Sequence, residues 1–227
     1  MRIDIVTLFP EMFENVLGNS ILKIAREKNL AHYHLFNIRE YADNKRCVDD
    51  RPYGGGPGMV IKPEPVFNTI ETIERQTNSH PKKILLTPQG HRFTQSIAKE
   101  LAKESHLMLI CGHYEGFDER IRIGLDALEL SIGDYVLSGG EIPAMAVIDA
   151  VIRLIPGVLG DIDSVTHESF NDDLLEYPQY TRPAEYRGMK VPEVLLSGHH
   201  QKIKEWQKDH AIKRTRERRP DLFEENS

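Results

Sequence analysis

Short apolar runs alternate along this chain with longer segments whose apolar residues recur at helical spacing. Ile3, Ile5, Val6 and Leu8 read as a first core strand. Pro10 then opens a helix whose stripe is Met12, Phe13, Val16, Leu17, Ile21, Ile24 and Ala25, with proline suited to the first turn. The order repeats as strand Tyr33 to Ile38, helix Glu64 to Arg75, strand Ile84 to Thr87, helix Thr94 to Lys103 and strand Leu107 to Cys111. Leu128 to Ile132 is a further strand, and Glu141 to Leu154 is a helix apolar on several faces, as expected of one buried against the sheet or a second subunit. Strand and helix in alternation predict an α/β fold with a mostly parallel sheet.

From Ile155 onward the periodicity fades. Proline, glycine, aspartate and serine dominate PGVLGDIDSVTHESFNDDLLEYPQYTRP, which predicts a boundary near residue 160 and a linker beyond it. Pro192 to Leu196 and His200 to His210 then read as short helices. The predicted organisation is a main domain over 1–160, a flexible linker over 161–169 and a small C-terminal helical domain over 170–227.

Two strands in this series end in glycine-bearing polar loops. Leu107 to Cys111 runs into Gly112-His113-Tyr114-Glu115-Gly116, and Leu128 to Ile132 runs into Gly133 and then Gly139-Gly140. In open α/β sheets the carboxyl ends of strands are where ligands settle, because glycine lets the backbone approach a ligand closely. Neither loop has the spacing of a dinucleotide fingerprint, so a Rossmann NAD or FAD site is not supported. Aromatic Tyr114 and Tyr135, apolar Ile132 and Leu137, and polar Glu115 and Asp134 suit an adenosine: a slot for the ring and polar groups for its edges and ribose. The alternative is a pair of tight turns that simply require glycine.

Composition narrows the class further. The chain has 227 residues, of which 40% are hydrophobic and 28% charged, as in ordinary globular proteins. The segment MRIDIVTLFPEMF lacks the uninterrupted apolar core of a signal peptide, and no membrane span is expected, which makes the cytoplasm the expected compartment. Cys47 and Cys111 are too few for a disulfide framework and lack zinc spacing. The ten histidines form no recognised ligand pattern, and Ser138 and Ser197 lack the context of a hydrolase nucleophile. Net charge is −6, yet Lys202, Lys204, Lys208, Lys213, Arg214, Arg216, Arg218 and Arg219 crowd the C-terminal segment against only Glu205, Asp209 and Glu217. Such a cluster is either a solvated helix face or a phosphate-binding patch, since a polyanion responds to local charge and not to the total.

Arg51 to Met59, RPYGGGPGM, has no Lys-Ser/Thr after its glycines and is not a phosphate-binding P-loop. It is either a mobile loop or one that closely approaches a large ligand, with Arg51 and Tyr53 available for phosphate or base contact. Glu168, Asp172 and Asp173 read, on residue type alone, as solvated loop charges.

Taken together, DDRPYGGGPGM (Asp49 to Met59), CGHYEGFDER (Cys111 to Arg120), SIGDYVLSGGEIPAM (Ser131 to Met145), IPGVLG (Ile155 to Gly160), YTRP (Tyr180 to Pro183) and VPEVLLSGHH closely resemble the bacterial tRNA (guanine-N1)-methyltransferases, the TrmD family of the SPOUT superfamily. The resemblance runs from residue 1 to about residue 220. It implies methylation of N1 of the guanosine 3′ of the tRNA anticodon, position 37, with S-adenosylmethionine as donor and an obligate homodimer whose active sites lie at the subunit interface. It also implies a deep trefoil knot, which no spacing in the sequence could reveal and which the rarity of knots opposes. The cofactor pocket would fall on Thr87, Pro88, Gly112, Tyr114, Glu115, Gly116, Ile132, Gly133, Asp134, Tyr135, Val136, Leu137 and Gly140. Contacts to tRNA would come from Arg51, Tyr53 and Gly58 of the glycine-rich loop and from Arg214, Arg216, Arg218 and Arg219.

The chemistry requires a base for the N1 proton and a cation for the charge that builds on O6. The resemblance places the cation on Arg153 and the base on Glu168. Here the chain departs from the family, which has aspartate before Ser-Phe and glycine where this chain has Asp173; Asp172 or Asp173 is the reserve base. The resemblance also implies that the linker orders when substrate binds and that Mg2+ takes part, with Glu115 and Glu168 as candidate carboxylates and no closed protein cage. Two rivals remain open on sequence: a non-catalytic RNA-binding module, motivated by the altered residue 168, and ribose 2′-O methylation.

Overall fold

The structure is a computed structural model that describes residues 1–45, 47–160, 168–170 and 173–224. The chain divides into two compact units, Met1–Gly160 and Asp161–Ser227.

The first unit is built on a five-stranded sheet of β1 (Arg2–Thr7), β2 (His32–Asn37), β5 (Lys82–Arg92), β6 (His106–Cys111) and β7 (Leu128–Ser131), in the order β2-β1-β6-β5-β7. Every pairing is parallel. β6 lies at the centre and all six of its residues are buried, which accounts for its unbroken apolar run. Its side chains alternate: Leu107, Leu109 and Cys111 join one core with Ile3, Ile5, Leu86 and Leu130, while Met108 and Ile110 join a second with Val6, Leu85 and Ile70.

Helices cover both faces. The stripe expected of one helix from Pro10 is broken: a 3-10 turn Pro10–Phe13 leads into α1 (Glu14–Leu17), and after Gly18 and Asn19 the chain resumes as α2 (Ser20–Glu27). Phe13, Leu17, Leu22 and Ala25 are buried, whereas Met12, Val16 and Ile24 are exposed. The break re-aims half the stripe, because Asn19 is extended (φ −133, ψ 165) and Ser20 is left-handed (φ 50). Between β2 and β5 lie a two-residue hairpin, β3 (Asp49–Asp50) with β4 (Val60–Ile61), and α3 (Pro63–Thr77). Pro63 is at the start of α3 and Asn78 ends it in the left-handed conformation.

β5 runs past its expected end. Leu86 and His91 both face Leu130 of β7, so residues 87–90 leave the ladder as a bulge. Pro88 has no N–H to lose there. α4 (Gln95–Leu101) starts at Thr94, whose hydroxyl accepts from the Ile97 N–H. The periodicity did not anticipate α5 (Glu119–Gly124), capped by Asp118. α6 (Glu141–Ile152) lays Ala144, Val147, Ile148 and Val151 into the core and leaves Ile142 exposed on its other side.

The second unit holds a small antiparallel hairpin of β8 (Glu185–Tyr186) and β9 (Met189–Lys190), then α7 (Glu193–Leu196), α8 (His200–Arg218) and α9 (Asp221–Glu224). α8 continues two turns beyond the expected His210. Thr215 holds that extension: its hydroxyl donates to the Ala211 carbonyl and accepts from the Leu175 N–H. Residues 161–167, most of the expected linker, lie outside the described residues, as does Asp172.

Candidate active site

The carboxyl ends of β5, β6 and β7 lie side by side in a parallel sheet, and the three segments that leave them enclose a cavity of about 310 Å³. The β5 bulge contributes Thr87, Pro88 and Gln89. The loop after β6 contributes Gly112, His113, Tyr114, Glu115, Gly116 and Phe117, and the loop after β7 contributes Ile132, Gly133, Tyr135, Val136, Leu137, Ser138, Gly139 and Gly140. Of the residues expected in a cofactor pocket, Asp134 alone is absent from the wall; it is exposed. Pattern reading could not foresee this, because alternation ends with the strand and side-chain direction in the loop follows its turns. Gln89, Phe117, Ser138 and Gly139 were not anticipated as lining residues, although all but Gln89 lie inside the motifs.

The two glycine loops hold each other. The Gly140 N–H donates to the Gly112 carbonyl at 2.8 Å, and His113 pairs with Gly139 in an antiparallel bridge. A Cβ on Gly140 would lie 2.8 Å from the Cys111 Cα, so only glycine lets α6 begin this close to the central strand. Within the first loop the Gly116 N–H returns to the His113 carbonyl, and Tyr114 takes a positive φ of 61°. That backbone is uncommon for a bulky residue and marks a loop over-determined by its surroundings. Arg39 reaches the Tyr114 hydroxyl with Nη2 at 3.5 Å.

The glycine-rich loop of residues 51–59 is tied to this site through its far end. The Glu115 N–H donates to the Met59 carbonyl, the Ile61 N–H to the Gly116 carbonyl, and the Asp118 N–H to the Ile61 carbonyl. Gly58 sits against the Glu115 side chain, which a Cβ there would push aside. Tyr53 is fully exposed and Arg51 is exposed, with its N–H on the Asp50 carboxylate at 2.8 Å. The hairpin β3–β4 thus fixes the loop's base and leaves its aromatic and cationic side chains in solvent.

Two buried groups lie behind the wall. Cys111 is wholly buried, and burial, with Glu141 adding to it, pushes its thiol well above the ordinary range. Glu141 is 1% exposed; its Oε1 accepts from the Thr7 hydroxyl at 2.7 Å. At the other end of α6, Arg153 forms the C-cap, half-buried in the first unit.

Glu168 and Asp173 belong to the second unit. The segment is fastened within that unit: the Ser169 hydroxyl accepts from the Glu176 N–H at 3.0 Å and the Phe170 N–H donates to the Leu174 carbonyl at 2.7 Å. Of the four arginines expected at phosphates, Arg216 and Arg218 are exposed along α8. Arg214 donates from Nη1 to the Glu176 carbonyl, and Arg219 pairs with Asp221 while lying over the Phe170 ring, so both have structural partners. Among the described residues no group of three or more His, Cys, Asp or Glu side chains could hold a metal ion. Among the same residues no helix is long and apolar enough to cross a membrane.

Comparison with known proteins gives this geometry a family. The family described as tRNA (Guanine-1)-methyltransferase TrmD matches residues 1–225. A tRNA (guanine-N(1)-)-methyltransferase of Bacillus subtilis is 58% identical over 227 residues, covering 100% of this chain and 93% of that protein. One from Geobacillus kaustophilus is 59% identical, covering 99% and 92%. Among solved structures, the tRNA (m1G37) methyltransferase of Aquifex aeolicus superposes with a TM-score of 0.81 at 42% identity, covering 100% of this chain and 96% of that one. With its whole length matched, the chain belongs to the TrmD family of tRNA (guanine-1)-methyltransferases.

Proposed function

We propose that the protein transfers a methyl group from S-adenosylmethionine to N1 of the guanosine at tRNA position 37. The observation that carries this reading is the cavity at the carboxyl ends of β5, β6 and β7, in a chain related to tRNA methyltransferases over its whole length. Its volume falls in the range of small-molecule sites, and its wall combines Ile132, Leu137 and Tyr135 with glycine backbone and the Glu115 carboxylate. That donor set fits an adenosine. Among the described residues Glu115 and Glu119 are the carboxylates of the wall, and no closed protein cage for Mg2+ is built there.

S-adenosylmethionine, when bound, supplies an electrophilic methyl group on a sulfonium. Glu168 takes the N1 proton as the N1–carbon bond forms and the sulfur–carbon bond breaks, the pair of electrons staying on sulfur. Arg153 donates to O6, where negative charge gathers in the water-poor site. The exposed Tyr53 and Arg51, on a loop anchored beside the pocket, hold the extruded nucleotide and its phosphates, and Arg216 and Arg218 bind more distant backbone. Two subunits build the working enzyme; exposed apolar Val136 and Ile142 beside the pocket support that assembly. The chain path is knotted in this reading, which rests on membership of the family.

The test is transfer of labelled methyl to an unmodified tRNA transcript carrying guanosine at position 37, with the product atom mapped. Label at N1 supports the reading; label on a ribose, or none, rejects it. Glu168→Gln should lower kcat by about 10²- to 10⁴-fold, the usual contribution of a general base, with cofactor affinity unchanged. Retained turnover would move the base to Asp172 or Asp173.

A further inference from the structure

Glu141 is a carboxylate at the start of a largely apolar helix, where an acid suits the free N–H groups but full burial is unusual. It is the first residue of α6, 1% exposed, and only one of its two oxygens is bonded. Oε1 takes the Thr7 hydroxyl, which in turn accepts the Phe9 N–H at 3.0 Å. Oε2 is buried and has no hydrogen-bond partner among the described residues. Leaving a buried carboxylate oxygen unmet is costly, so the atom calls for a donor, an ordered water or a group brought up in another state of the protein.

The group aimed at Oε2 is His113, whose Nε2 stands 3.9 Å away. His113 is 21% exposed, belongs to the Gly112–Gly116 loop and lines the cavity. Its ring is flanked by Phe9, centroid to centroid 4.7 Å, and meets the edge of Tyr114 at 5.3 Å. A shift of about 1 Å would bring Nε2 into hydrogen-bonding range. Gly139 leaves the way open, because a Cβ there would fall on both Glu141 Oε2 and the His113 ring.

We propose that Glu141 is a positioning residue: when the cofactor enters, its Oε2 captures His113 and locks the Gly112–Gly116 loop against the ligand. The inference rests on the cofactor reading of the cavity. Glu141 contributes through His113 and touches no reacting atom. A charge-assisted bond formed only in the occupied pocket adds directly to cofactor affinity. Because Glu141 begins α6 and Arg153 caps its other end, the same bond also ties the loop to the helix that carries the O6 donor.

The experiment is calorimetric titration of the full-length protein with S-adenosylhomocysteine, which reads binding without turnover. Glu141→Gln, His113→Phe and the double variant should each weaken binding by about tenfold, or 1.4 kcal/mol, with the double no worse than the singles. His113→Gln, which returns a donor near Nε2, should recover most of the loss; an isolated packing role would not be rescued this way. His113 is partly exposed, so His113→Phe and His113→Gln decide the matter even where Glu141→Gln does not fold. Unchanged affinity in His113→Phe, additive losses in the double variant, or no rescue by glutamine overturns the proposal while leaving the cofactor reading intact. A wild-type chain that binds no S-adenosylhomocysteine rejects that reading, and this inference with it.

Discussion

Cys111 shows how burial decides chemistry at a single position. Its thiol closes the central strand with no solvent exposure, and its raised pKa keeps it protonated through neutral pH, so the reactive thiolate is scarce. Cys47 is only partly covered, with the Lys62 ammonium donating to its sulfur at 3.5 Å. Iodoacetamide at mildly alkaline pH should therefore label Cys47 and spare Cys111 until the protein is unfolded. Peptide mass mapping checks this, and comparable labelling of both in the folded state would contradict the packing. The sequence excluded a disulfide framework and a zinc pattern for the two cysteines; which of them is buried depended on neighbours far away in the chain. Glu141 was hidden for the same reason, since its partner Thr7 is 134 residues distant and nothing local marks the charge as buried. Asp134 differs in the other direction: its residue type suited an adenosine, but it is exposed and outside the wall of the cavity.

Single elements were legible where one local signal governed them. Thr94 announces α4, and Pro63 starts α3 one residue from the expected boundary. α5 escaped notice because its six residues, ERIRIG, are too few to show a helical period, yet its cap is well defined. The Asp118 carboxylate accepts the Arg120 N–H at 2.9 Å and pairs with the Arg120 guanidinium, which, through its side-chain bond first, holds the carboxyl below the usual range. Asp118→Ala should cost about 1 kcal/mol in a urea melt, the ordinary value of an N-cap. A carboxyl whose folded pKa is depressed stabilises above its unfolded pKa and loses that contribution as pH falls through the folded one. The difference between wild type and variant should thus be present at neutral pH and fade on acidification; a gap that widened in acid would reject the assignment. The bulge of residues 87–90 was invisible to pattern reading, because a register slip against β7 is a property of two strands and not of one.

At the scale of the whole chain, the net charge of −6 conceals a basic α8, and the structure sorts that cluster by occupation. Arg216 and Arg218 face solvent, whereas Arg214 is half-buried on the Glu176 carbonyl. Replacing Arg216 and Arg218 by alanine should weaken tRNA binding and flatten its salt dependence by about one unit of slope per lost phosphate contact, with S-adenosylhomocysteine binding unchanged. Arg214→Ala should instead lower the melting temperature of the protein, because it leaves a partly buried carbonyl unmet. A full salt slope in the double variant would return the cluster to a solvated face. By itself the sequence determined the alternation of strands and helices, the change of character after Ile155 and the two glycine breaks that mark the pocket, because these follow from periodicity and backbone freedom within a few residues. Only the tertiary structure decided which loop side chains face the cavity, that residues 87–90 leave the ladder, and that Thr7 and Glu141 come together behind its wall beside His113. Those outcomes depend on contacts between distant segments, whose energies appear only when the chain has closed on itself.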